Sequence, residues 1–109
     1  MILIFGGAYQ GKLAYAMGRF GLNESDIRRV DKWILDLIKA EADVEKAVQE
    51  FIRNNPDAVV ICDDISCGVV PVEPVMRKWR EAVGRALAKL SQESSEVIRL
   101  FCGIPTRIK

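Results

Sequence analysis

The chain opens on a short apolar run, Ile2 to Phe5, followed at once by a stretch bracketed by glycines, Gly6 to Gly11. From Lys12 the period changes: Leu13, Ala16, Met17 and Phe20 fall at the spacing of one buried helix face. The pattern predicts a strand, a glycine loop and a helix. Gly21 to Asp26 is rich in turn residues, and Ile27 to Val30 predicts a short strand despite Arg28 and Arg29. Asp31 is expected to cap the next helix, whose apolar stripe is Trp33, Ile34, Leu37 and Ile38. The stripe changes phase before Val44, Ala47, Val48, Phe51 and Ile52 resume it. Two helices are therefore predicted, the second capped by Asp43 and stopped by Asn54-Asn55-Pro56-Asp57.

Ala58 to Cys62 is continuously apolar and β-branched, the signature of a central parallel strand covered on both faces. It ends in Asp63-Asp64. Ser66 to Pro71 reads as a loop, and Pro74 opens the strongest helical pattern in the chain. Its apolar face is Val75, Met76, Trp79, Ala82, Val83, Ala86, Leu87 and Leu90. Arg77, Lys78, Arg80, Arg85 and Lys89 fall largely off that face, with Glu73 and Glu81 interleaved, as on a solvated surface rather than a nucleic-acid patch. Glu96 to Phe101 predicts a last strand, and Gly103-Ile104-Pro105 turns it into a short tail. Strands alternating with helices predict an α/β fold: a small parallel-sheet, P-loop NTPase-like domain with three layers, α/β/α, spanning residues 1–109 as one unit. Three or four strands leave open edges, so a homo-oligomer or a substantial partner surface is expected.

Composition narrows the chemistry. The formal net charge of +1 gives no electrostatic reason to expect nucleic acid or an anionic membrane as partner. No apolar run approaches the ~20 residues of a membrane span, and the N-terminus has no basic leader, so the expected location is cytoplasmic. The three cysteines, Cys62, Cys67 and Cys102, make neither a disulfide framework nor zinc spacing. Cys62 and Cys102 read as buried small hydrophobes within strand-like runs. The chain has no histidine, which removes Ser-His-Asp and Cys-His hydrolases from consideration.

Candidate chemistry concentrates at the first joint. Gly6-Gly7-Ala8-Tyr9-Gln10-Gly11-Lys12 has the G-x-x-x-x-G-K spacing of a phosphate-binding loop between a strand and a helix. Glycines let consecutive backbone N–H groups aim at one point, and the helix N-terminus adds partial positive charge there. Lys12 would hold the outer phosphates. The position that normally carries a Mg²⁺-binding hydroxyl is Leu13. The competing reading is an ordinary turn with a surface lysine. Asp63 and Asp64 follow a buried strand, at the sheet edge where ligands of open α/β folds bind, and are candidate Mg²⁺ carboxylates. Their competing reading is a capping or turn pair. Lys12 and Asp64 are the candidate catalytic residues.

Three segments resemble the adenosylcobinamide kinase / adenosylcobinamide-phosphate guanylyltransferase family of cobalamin biosynthesis. Gly6 to Lys12 is similar to the family's GGARSGKS. The run from Val59 to Arg85 is similar to its strand, N-E-V-G-x-G-I-V-P and a helix ending F-R-D-x-x-G-R. There Gly68, Val70, Pro71, Arg80, Gly84 and Arg85 match, and Asp64 and Glu81 stand for family acids. The end of the chain, from Glu96, is similar to E-V-x-x-V-x-x-G-I/L-P-x-x-I/L-K. Trp33 to Ile38 resembles the family's L-W-V-x-N-L-L helix more loosely. The departures are Leu13, Asp63-Asp64 for the family's Asn-Glu, Leu87 for an asparagine, and a shortened middle, roughly residues 21–57. The resemblance places guanylyl transfer on a histidine in that middle. The chain has none, so that route is closed to it.

The resemblance implies ATP or GTP with Mg²⁺ as cofactors and cobinamide as a partner. Two readings follow: a cobinamide-kinase-like phosphotransferase, or a non-catalytic relative that holds a nucleotide or corrinoid, or joins another subunit.

Overall fold

A computed structural model describes residues 1–65 and 72–109. The predicted Ser66–Pro71 loop, with Cys67, lies outside the described residues. The elements are β1 (Ile2–Gly6), α1 (Lys12–Phe20), β2 (Ile27–Arg29), α2 (Val30–Lys39), α3 (Val44–Asn54), β3 (Val59–Asp63), α4 (Pro74–Glu93), β4 (Glu96–Phe101) and β5 (Ile104–Arg107).

The strands form one sheet in the order β2-β3-β1-β4-β5. Four are parallel, with Ile2 opposite both Val59 and Glu96, and β2 pairs with β3 from Ile27 opposite Val59. Alternate side chains sort the core into two clusters. Leu3, Val60, Cys62 and Val97 pack beneath α2, α3 and α4. Ile4, Val59, Ile61 and Ile98 pack beneath α1 with Ala16. Both faces of the central strands are thus covered, as their apolar runs require, and the α/β/α layering is as expected.

α1 lies on one face and α4 on the other. The helices that come after the neighbouring strands β1 and β3 therefore cover opposite faces, the arrangement that makes a crevice at the carboxyl ends of such strands.

Three expectations need correction. Asp31 does not cap α2. The helix starts at Val30 without a side-chain cap at Arg29, and Asp31 is buried in its first turn. The C-terminal residues are not a tail. Cys102 and Gly103, at φ 50° and 76°, form a two-residue turn, and β5 returns antiparallel along β4 with Ile104 opposite Phe101. Two consecutive residues at positive φ are what a type I′ hairpin turn requires. For the same reason Cys102 is exposed, whereas Cys62 is buried as expected. Asp43 caps α3 as predicted, accepting the Lys46 N–H at 3.2 Å.

Among the described residues, no helix is long and apolar enough to cross a membrane.

Candidate functional site

The glycine loop runs from the end of β1 to the start of α1. Gly6 is required by packing: a Cβ there would lie 2.3 Å from the Leu100 carbonyl oxygen of β4. Tyr9 and Gly11 take positive φ, 59° and 88°, so the backbone reverses its handedness twice before the helix begins. Gly7, Ala8, Tyr9 and Gly11 are exposed and Gln10 is half-buried. Gln10 fixes the loop at two points. Its Nε2 donates to the Ala8 carbonyl at 3.4 Å, and its Oε1 accepts the Cys102 N–H from the β4–β5 turn.

α1 begins with no side-chain cap and no acid in its first turn. The first N–H groups of a helix have no partner within it, and they carry the positive end of the helix dipole. Here they open toward the loop.

Lys12 sits under this loop with 6% of its surface exposed. Its Nζ donates to the Gly7 carbonyl at 2.6 Å and pairs with Asp63 Oδ1 at 2.6 Å. Asp63 ends β3 opposite Gly6, so the strand register itself brings carboxylate and lysine together. Asp64 is held by its own N–H, which donates to the Gly6 carbonyl at 2.8 Å and extends the β1–β3 ladder by one step. Leu13 points away from the loop into the cluster beneath α1, so no hydroxyl stands beside Lys12.

A third carboxylate, which sequence reasoning had assigned to a cap, belongs here. Asp31 Oδ1 accepts the Asp63 N–H over a long 3.4 Å, and its carbonyl accepts the Trp79 indole N–H at 2.7 Å, tying α2 to α4. Burial, and then the Asp63 charge, push its carboxyl above the usual aspartate range. Burial pushes the Cys62 thiol up as well, which keeps it protonated and inert. One signal could have found Asp31. It lies just past the end of β2, as Asp63 lies at the end of β3, and the carboxyl-edge rule applies equally to both.

Of the predicted residues, the fold brings Gly6 to Lys12, Asp63 and Asp64 to one crevice and excludes the Leu13 side chain from it. Among the described residues, no group of three His, Cys, Asp or Glu side chains could hold a metal. Mg²⁺ commonly binds one or two carboxylates together with substrate phosphates, and Asp63 and Asp64 can offer that much.

A parallel sheet with a glycine loop and a buried lysine at its central carboxyl edge defines a small P-loop-like α/β domain. The family model described as cobinamide kinase / cobinamide phosphate guanyltransferase matches residues 21–108, most of the chain, and the protein belongs to that family. Membership supports a role in cobalamin biosynthesis. The match begins after α1, so the glycine loop stands on its own geometry. No curated protein matches the chain.

Proposed function

We propose that the protein binds ATP or GTP in the Gly6–Leu13 loop and transfers a phosphoryl group to cobinamide. The observation that carries this reading is Lys12, a buried cation held at 2.6 Å by both a loop carbonyl and Asp63. An ammonium has three donors, and among the described residues two are used. A nucleotide's outer phosphates would take the third, or replace the Gly7 carbonyl, while Asp63 holds the lysine in place. The loop amides and the uncapped α1 N-terminus would hold the inner phosphates. Phosphoryl transfer needs mainly positioning and charge neutralisation, and these residues can supply both. Mg²⁺ arriving with the nucleotide would add Lewis-acid neutralisation, with Asp63 and Asp64 as its carboxylates. Asp64, whose backbone is bonded to the first glycine, would orient the acceptor. Guanylyl transfer through histidine is closed to a chain without histidine.

Two observations favour a second reading, a non-catalytic relative that binds nucleotide or corrinoid. Leu13 is half-buried against the cluster beneath α1, and Asp63 is already engaged by Lys12. The open edge strands β2 and β5 support homo-oligomer formation under either reading.

Incubation with cobinamide and γ-labelled ATP or GTP in Mg²⁺ separates the two. The kinase reading expects labelled cobinamide phosphate, and less of it from Asp64→Asn. Nucleotide that binds without any transfer would leave the second reading standing.

A further inference from the structure

We infer that the turn of the β4–β5 hairpin, together with the tip of the glycine loop, forms the platform for the base of the bound nucleotide. This inference rests on the phosphate-loop reading above. Large hydrophobic side chains exposed among the described residues include Tyr9, Phe101 and Ile104, at 103%, 62% and 66%. All three lie within two residues of a partner in one hydrogen bond, from the Cys102 N–H to Gln10 Oε1. Tyr9 precedes Gln10 in the loop. Phe101 precedes Cys102, and Ile104 lies opposite Phe101 across the hairpin, on the same face of the ladder.

The arrangement is built rather than incidental. Tyr9 is held at φ 59°, a region that aromatic residues rarely adopt, and this turns its ring outward from the loop. The Leu100 carbonyl lies where a Cβ on Gly6 would have to sit, so the base of the hairpin and the start of the loop pack directly against each other. Exposed aromatic and aliphatic side chains beside a phosphate site offer what a purine lacks in water, a flat apolar surface. Base stacking on such side chains tolerates either purine. The occupant is therefore the purine ring of the nucleotide whose phosphates lie in the adjoining loop.

The test is calorimetric titration of the whole chain with tripolyphosphate, ATP and GTP, in wild type, Phe101→Ala, Tyr9→Ala and Phe101→Trp. The side chains are exposed, so the fold should tolerate these changes, and tripolyphosphate binding reports that the loop is intact. Phe101→Ala should weaken ATP and GTP by roughly five-fold to a hundred-fold. It should change tripolyphosphate by no more than about two-fold. Tyr9→Ala should act in the same direction, and Phe101→Trp should retain wild-type affinity for the nucleotides. Unchanged ATP and GTP affinity in Phe101→Ala, with tripolyphosphate still bound, overturns the platform and leaves the phosphate site standing. A loss confined to cobinamide, titrated alongside, also overturns it and assigns the surface to the corrinoid. Wild type that binds no tripolyphosphate overturns the phosphate site, and the platform with it.

Discussion

Helix α1 carries an ion pair at each end, and the two are built in opposite ways. At the amino edge of the sheet, Arg19 Nη2 donates to both oxygens of Glu96, each at 2.9 Å. The buried member is the acid, 11% exposed against 40% for the arginine, and Arg107 approaches the same carboxylate at 3.7 Å. At the carboxyl edge the buried member is the base, Lys12, and Asp63 is 34% exposed. The first pair is closed: a single guanidinium nitrogen lies between both oxygens of a buried carboxylate, and the other terminal nitrogen donates to the Tyr15 hydroxyl. The second is open. A point charge is shared between a carbonyl and a carboxylate, beside uncapped helix N–H groups and a second, buried acid. Under the proposed function an anion enters the second arrangement and none enters the first. The same helix is fastened at one end and left uncapped at the other.

This contrast can be broken in several ways. The largest effect is expected from Gly6→Ala, which drives a Cβ to 2.3 Å from a backbone oxygen that cannot step aside. The cost should be about 3 kcal/mol or more, read by chemical denaturation. A variant as stable as wild type would mean that the loop and β4 are not locked together.

Next comes a cross-comparison of the two pairs. Arg19→Ala leaves the buried Glu96 only the more distant Arg107 and should lower Tm by several degrees while leaving nucleotide affinity unchanged. Lys12→Met keeps the aliphatic stem and frees an acid that water can reach, so it should lower Tm less and weaken nucleotide binding. Equal loss of binding in both variants would erase the distinction between the two ends.

Asp31→Asn sharpens the picture through pH. Its carboxyl is raised in the folded state, so the folded protein holds that proton more tightly than the unfolded chain. Stability from this group therefore falls as pH rises from its ordinary value of 3.8 toward the raised one. Asn should be more stable than wild type at neutral pH, with the gain shrinking as pH falls toward that ordinary value. A gain independent of pH would show that burial of the charge is not the cause. The smallest effect is expected from Asp43→Ala, distant from both pairs, which removes the α3 cap for about 1 kcal/mol and should leave binding untouched.

Local pattern was enough for much of this molecule. The apolar runs of β1, β3 and β4, the helix stripes and the Asp43 cap are decided by neighbours in sequence, and they were legible there. So was the coincidence of Gly6–Lys12 with Asp63-Asp64, because both follow buried strands. The rest depends on contacts between distant parts of the chain. Gly103-Ile104-Pro105 reads locally as a turn into a tail, yet Pro105 sits in β5, an edge strand where a missing N–H is tolerated. Asp31 has the chemistry of a cap, and only the placement of β2 beside β3 moves it into the site. The Gln10–Cys102 bond spans nearly the whole chain and leaves no local signature.

The central claim is that the open end of α1 binds nucleotide phosphates through Lys12. Calorimetric titration with ATP and GTP, with and without Mg²⁺, in wild type and Lys12→Met, tests it most directly. The account predicts that wild type binds and that the variant is weaker by a decade or more, about 1.4 kcal/mol. No binding by wild type, or equal binding by both proteins, would contradict it.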